Sequence, residues 1–317
     1  MINSQQAKAL LKNQLHDWPL AKDNYQALEQ IQLHAFDMGG FHIKVQYTPS
    51  RIISSGAKID FRSIKDRPCF LCSENQPTEQ EGLAFGADYR ILCNPYPIFP
   101  EHFTIPASEH TDQLILPRLG IFLELASCLS DFTLFYNGPK SGASAPDHAH
   151  FQAVTRYVMP IEEELDYQLQ SYGRLLLENA NSRLYLLTHY LRNGFVIKAK
   201  TKEGAVNCFE TVYNTLELNP EEVEPMMNLF AYYEREEWTV ILIPRKQHRP
   251  HQFFEEGDNC ILVSPGAADM GGLFVTSRLQ DFEKMNPLLL KNIYEQVCFS
   301  DPEMEEIAVK IVNQNNL

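Results

Sequence analysis

The chain has 317 residues, 44% hydrophobic and 21% charged, a composition typical of folded proteins that excludes disordered, collagen-like and fibrous readings. With 27 basic against 41 acidic residues the net charge is −14, so the overall field repels polyanions and no duplex nucleic acid is expected as a partner. This length suits two domains or one duplicated fold, with a core large enough to need no disulfide or metal merely to fold.

No run of about 18 apolar residues occurs, and the N-terminal stretch lacks the basic and apolar regions of a secretory leader. No membrane partner is expected, and a cytoplasmic location is. The seven cysteines (Cys69, Cys72, Cys93, Cys128, Cys208, Cys260 and Cys298) are scattered apart from the first pair, which favours thiols or a metal over a disulfide framework.

Residues 5–30 read as a helix, with Leu10, Leu11, Leu15 and Leu20 at helical spacings and Pro19 bending or splitting it. Residues 33–47 alternate around Gly39-Gly40, a hairpin signal. A polar segment, 48–67, leads to Cys69-Phe70-Leu71-Cys72. Residues 89–106 predict two strands about a proline-rich turn, followed by a helix from 111 to about 130. A strand over 132–138 then gives way to a loop of small residues and to a second strand. Alternation in that strand sets His148, His150 and Gln152 on one face and Ala149, Phe151 and Ala153 on the other. A helix from 160 to about 179 follows, and the remainder reads strand, strand, helix, strand, loop, strand, helix.

One echo bears on architecture. Thr104-Ile105-Pro106 with His110 resembles Leu242-Ile243-Pro244 with His248, and each precedes a small-residue loop and an apolar strand. Two similar α+β halves are predicted. The first carries the histidines, whereas the second has Gly266-Ala267-Ala268-Asp269 and supplies pocket walls.

The chemistry centres on His148-Ala149-His150-Phe151-Gln152. Imidazole is nucleophilic when neutral, its pKa lies near neutrality, and a nucleotidyl histidine is labile enough to pass its load onward. Beside a Gly/Ser loop, whose N–H groups can bind phosphate oxygens, this pattern suits attack on phosphorus. It also suits a metal or a plain surface strand. Gln152 does not titrate, so it orients or binds a phosphate oxygen. Two thiols separated by two residues can bind one tetrahedral zinc given two further ligands, or remain thiols.

The run Asn137-Gly138-Pro139-Lys140-Ser141-Gly142-Ala143-Ser144, followed by His148-Ala149-His150-Phe151-Gln152, resembles the active-site segment of the histidine-triad superfamily. It is similar to the transferase branch, which holds galactose-1-phosphate uridylyltransferases, diadenosine tetraphosphate phosphorylases and GDP-hexose phosphorylases. The resemblance implies an α+β fold of duplicated antiparallel sheets with flanking helices, one half active and one degenerate. The implied division is an extension over 1–68, an active half over 69–180 and a degenerate half over 181–317. It further implies His150 as nucleophile, with His148 and Gln152 beside it as catalytic residues. Asn137, Gly138, Ser141, Gly142 and Ser144 then form the substrate-binding loop. Within that loop Ser144, together with Gln152, touches the transferred phosphate, and Asn137 positions loop and nucleophile. Asp147 departs from the pattern, standing where relatives commonly carry proline or asparagine.

Cys69 and Cys72, with Asn75 following, resemble the zinc-binding segment of the uridylyltransferases, and the implied remaining ligands are His110 and His148. Such a zinc is structural and holds His148 rigid, so that His150 is aimed. The second half has no H-x-H pair, so no iron is expected. The implied activity moves a nucleoside monophosphate from a nucleotide sugar or dinucleotide to phosphate or a sugar phosphate, through a nucleotidyl-histidine intermediate. The alternatives are a nucleotide phosphohydrolase, against which Gln152 in place of a third histidine argues, and a catalytically inactive nucleotide-binding protein. A homodimer stays open. Tyr96, Pro97, Ile98 and Phe99 are candidates to line a base pocket. Arg245, Lys246 and Arg249 are candidates to meet the second substrate's phosphate, and His248 and His251 to meet metal or substrate.

Overall fold

The computed structural model describes residues 2–49, 67–220 and 222–315, so most of the polar segment 48–67 lies outside the described residues. Pro19 splits the first helix as its missing N–H requires. Helix α1 (Ser4–Asp17), capped by the Asn3 side chain, meets α2 (Pro19–Ala27) at Trp18. Strands β1 (Gln32–Asp37) and β2 (His42–Tyr47) form the expected hairpin, with both Gly39 and Gly40 at positive φ in its turn.

The remaining elements follow in chain order: β3 (Gly82–Phe85), β4 (Tyr89–Cys93), β5 (His102–Pro106), α3 (Leu119–Cys128), β6 (Phe132–Asn137), β7 (His150–Thr155), α4 (Pro160–Tyr172) and β8 (Gly173–Glu178). After them come β9 (Ser182–Leu187), β10 (Gly194–Ala199), α5 (Lys202–Tyr213), β11 (Met227–Glu234), β12 (Glu237–Pro244) and α6 (Ala267–Met270). The chain closes with β13 (Leu273–Thr276), α7 (Leu279–Lys284), α8 (Pro287–Val297) and α9 (Asp301–Asn315).

Two helices are shorter than their sequence pattern. The residues after His110 stay irregular as far as a turn of 3-10 helix over Leu116–Arg118, and α3 begins only at Leu119. The predicted helix from 160 ends at Tyr172. A Cβ on Gly173 would sit 2.4 Å from the Leu169 carbonyl oxygen, and the Leu175-Leu176-Leu177 run that follows pairs with β9 as an edge strand.

Ten strands form one antiparallel sheet in the order β3-β4-β5-β7-β6-β11-β12-β10-β9-β8. Read inward from either edge, the two halves have the same topology: 3-4-5-7-6 with α3 between β5 and β6, and 8-9-10-12-11 with α5 between β10 and β11. The duplication is therefore a pair of five-stranded units, joined where Asn137 of β6 lies opposite Asn228 of β11. The echo that suggested it does not mark equivalent places. It matches the end of β5 to the end of β12, whereas the counterpart of β12 is β7 and that of β5 is β10. His248 is thus no counterpart of His110.

Apolar residues occupy both faces of this sheet. Phe103, Phe132, Phe151, Phe195 and Leu229 pack beneath α3 and α5, each side chain contributing roughly 1.5–3 kcal/mol by leaving water. On the other face Phe135, Val154, Val196, Phe230 and Ile241 meet α8 and a smaller sheet, β1-β2-β13, in which β13 runs parallel to β2. A strand whose two faces are both covered can hold a polar side chain only if that side chain finds a partner, and this constraint shapes the site.

Candidate active site

Strand β7 opens at His150, two residues after His148, and keeps the expected alternation: Ala149, Phe151 and Ala153 enter the core under α3. His150 is 4% exposed. Its Nδ1 lies 2.8 Å from the His148 carbonyl oxygen, to which it donates, so the lone pair sits on Nε2. Burial is the main force on the ring and pushes its pKa down to about 4, against a smaller upward pull from that carbonyl bond. The imidazole is accordingly neutral at physiological pH.

The backbone of His150 is held as firmly as its ring. Its N–H donates to Gln113 Oε1 at 2.7 Å, and its carbonyl accepts from Gln113 Nε2 at 3.0 Å. The same Nε2 donates to the Asn137 carbonyl at 3.0 Å. Register pairing of β6 with β7 runs from Phe132 and Thr155 to Phe135 and Gln152, and beyond that point the Gln113 amide takes over the ladder's work. The sequence reading missed Gln113, whose only signal is a lone amide ahead of Leu114-Ile115-Leu116. Gln152 accepts a hydrogen bond at 2.8 Å from Nε2 of the buried His102, which turns its own amino group the other way.

The loop after β6 rests on the second half. Asn137 Oδ1 accepts from Asn228 Nδ2 at 2.9 Å and from the Ala267 N–H at 2.6 Å. Asn228 Nδ2 also donates to the Ser141 carbonyl at 2.7 Å. Gly142, at φ +96°, lies where a Cβ would come 2.5 Å from Gly266 Cα, so the two backbones pack closely and Gly142 tolerates no side chain. Gly138 donates its N–H to the Met227 carbonyl, and the Ser144 carbonyl accepts from Arg67. Ser141 Oγ is buried and has no hydrogen-bond partner among the described residues.

Arg245 belongs to this support and is not free for a substrate phosphate. Its Nη1 donates to Asn228 Oδ1 (2.8 Å) and to the Pro265 carbonyl (2.9 Å). Its Nε donates to the Val297 carbonyl (3.1 Å), and its Nη2 to the carbonyls of Gln247 and His248 (3.2 Å each). Every guanidinium N–H is used. Lys246 pairs with Glu303, while Arg249 stacks over Phe253 and donates to Ser264 Oγ. His248 Nε2 lies 2.9 Å from the same hydroxyl, and burial with Arg249, Arg245 and Lys140 nearby pushes its pKa down to about 3. Of the proposed base-pocket residues, Ile98 and Phe99 are buried in the core facing α8, and Tyr96 is exposed.

A second constellation lies at the entry to β7. The ligand atoms of Cys69, Cys72, His110 and His148 all fall within 4.8 Å of one another. His148 Nδ1 is 3.4 Å from Cys69 Sγ and 3.6 Å from Cys72 Sγ, and His110 Nδ1 is 3.1 Å from Cys72 Sγ. Both imidazoles are oriented from behind. His148 Nε2 donates to the Ala107 carbonyl at 2.8 Å, and His110 Nε2 lies 3.2 Å from Asp147 Oδ2. Two thiols and two Nδ1 atoms, with outer partners fixing both rings, fit a tetrahedral metal ion. Asp147, the departure noted in the sequence, is one of those partners. His148 has both nitrogens engaged here, which separates it from the face that holds Gln152. His248 and His251 lie in no comparable cluster among the described residues.

The chain is similar to known proteins at three levels. A family model described as a domain of unknown function (DUF4922) matches residues 10–155. Diadenosine 5',5'''-P1,P4-tetraphosphate phosphorylase 2 of Saccharomyces cerevisiae is 27% identical over 124 residues, a stretch spanning 35% of this chain and 38% of that enzyme's length. The crystal structure of yeast Ap4A phosphorylase with AMP has a TM-score of 0.57 at 17% identity, covering 95% of this chain and 98% of that one. With Ap4A bound, the same enzyme gives 0.53 at 15% identity, covering 94% and 99%. These matches agree with the resemblance read from residues 137–152, and the chain has the duplicated α+β fold of yeast Ap4A phosphorylase.

Proposed function

We propose that this protein is a nucleotidyltransferase that works by double displacement on His150, with a dinucleoside polyphosphate as donor and inorganic phosphate as acceptor. One observation carries the reading: a neutral, buried imidazole whose Nδ1–H is tied to the His148 carbonyl, so that Nε2 alone presents a lone pair. The names of the relatives, Ap4A phosphorylases in sequence and in fold, support the choice of donor.

In the first step the Nε2 lone pair attacks the α-phosphorus. A P–N bond forms while the bridging P–O bond breaks, its electron pair leaving on the oxygen of the released nucleotide. The ring becomes cationic, and Nδ1–H against the His148 carbonyl stabilises that charge. In the second step a phosphate oxygen attacks the same phosphorus, and the P–N pair returns to Nε2. Gln152 orients a phosphate oxygen with its amide, and the 138–144 loop, braced by Asn228 and Ala267, holds the transferred group. Cys69, Cys72, His110 and His148 would hold a zinc ion whose contribution is rigidity at the entry to β7.

Incubation with Ap4A, followed by intact-mass measurement, tests the reading. The expected result is an acid-labile gain of one nucleotidyl group, discharged by phosphate and absent in His150→Asn. Nucleotide sugars with sugar phosphates form the second arm. If no member of this panel labels the wild-type chain, the transfer reading is rejected.

A further inference from the structure

Glu224 is a buried acid that the proposed step does not use. It lies just ahead of β11, in the second half, and is 3% exposed. Its Oε2 accepts the Ile115 N–H at 3.0 Å, and its Oε1 accepts the Tyr136 hydroxyl in a short bond. The Tyr136 oxygen also lies 3.1 Å from the Gln113 carbonyl oxygen. One carboxylate from the second half thus fixes the chain on both sides of Leu114. The side chain of Gln113, at the head of that stretch, grips both the N–H and the carbonyl of His150. The same carboxylate borders the substrate loop, since a Cβ on Gly138 would stand 3.5 Å from Oε1.

The groups facing Glu224 are Tyr136 from β6, Tyr213 from α5, Ile115 N–H, and Arg118 just before α3. No lysine or arginine forms an ion pair with it among the described residues. Keeping an acid there is costly, because a buried carboxylate forgoes hydration that two hydrogen bonds only partly replace.

We propose that Glu224 is a positioning residue for His150, acting through Tyr136 and Ile115 on the backbone at Gln113, and through the Gln113 amide on the nucleophile's own peptide unit. This inference rests on the transfer reading of His150. It gives the second half a hold on the nucleophile, relayed through Gln113, beyond its bracing of the substrate loop.

Single-turnover labelling of His150 with Ap4A tests it. Glu224→Gln and Tyr136→Phe should each lower the maximal labelling rate about 10- to 50-fold, with the half-saturating Ap4A concentration changed less than about threefold. Because both act through one chain of contacts, the double variant should lose little more than the worse single one. Hydrogen exchange of the peptide containing His150 gives a readout that needs no activity, and it should quicken in both variants while the α5 peptide stays protected. Wild-type labelling rates, losses that multiply in the double variant, or unchanged protection of the His150 peptide would each overturn the proposal. Should the wild type never label, the transfer reading fails by itself and the exchange comparison still decides the linkage.

Discussion

β7 and β12 occupy the same place in their five-stranded units, and the contrast between them shows how the molecule divides its work. On the face turned away from α3 and α5, β7 carries His150 and Gln152, whereas β12 carries Thr239, Ile241 and Ile243. The first unit holds the proposed nucleophile His150 and the Cys69, Cys72, His110 and His148 cluster. The second carries no histidine on the matching strand and supplies Asn228, Arg245, Ala267 N–H and Glu224 to the first. On the proposed reading, duplication yields one unit that reacts and one that holds it still.

The largest test of this asymmetry is His150→Asn, which keeps the fold but removes the Nε2 lone pair. Turnover of Ap4A in phosphate buffer should fall at least about a thousandfold. Glu224 provides the next. Burial raises its pKa from 4.5 to about 7 in the folded chain, so its favourable contribution is full below pH 4.5 and lost as pH rises toward 7. Compared with Glu224→Gln in urea unfolding, the wild type should lose about 3 kcal/mol across that window. A pH-independent difference between the two would show that the carboxyl titrates normally.

Replacing Cys69 and Cys72 with serine removes half the donor set. Metal analysis should fall from about one zinc per chain to none, with turnover lowered roughly 10- to 100-fold as His148 loosens. Asn228→Ala deletes the amide that joins Asn137, Ser141 and Arg245. It should cost about 2 kcal/mol in unfolding experiments because buried partners are left unsatisfied, even though the site of change is in the second half. The smallest effect on turnover belongs to Thr239→Val on β12, which takes a hydrogen-bond partner from Tyr232 but touches nothing in the first unit's site, and should change turnover less than about twofold. A large effect there would mean that the second unit retains chemistry of its own.

Much of this was legible in the sequence because it was local. Pro19 splitting a helix, Gly39-Gly40 turning a hairpin, and the alternation of Ala149, Phe151 and Ala153 about His150 all follow from residues adjacent in the chain. The four candidate metal ligands were reachable through the resemblance, and the structure brings them together. The supports were not legible. Gln113, Asn228 and Glu224 meet their partners across 24 to 109 residues, and a polar side chain in an apolar run carries no mark of which backbone group it will meet. The repeat itself was inferred from the wrong pair of segments. A three-letter echo such as Ile-Pro before a histidine reflects strand-end chemistry that recurs wherever a strand closes, while true equivalence lies in strand order, which no short motif records.

Because β6 and β11 lie side by side in the middle of the continuous sheet, neither unit owns a finished border on that side. A chain severed between Tyr172 and Gly173 would yield two fragments, each baring a row of unsatisfied amides and carbonyls along its inner strand. Such fragments would be prone to stick to themselves when made alone and would find their natural complement in each other. The seam that makes the two units interdependent is therefore also where a split version of this protein could be made to reassemble.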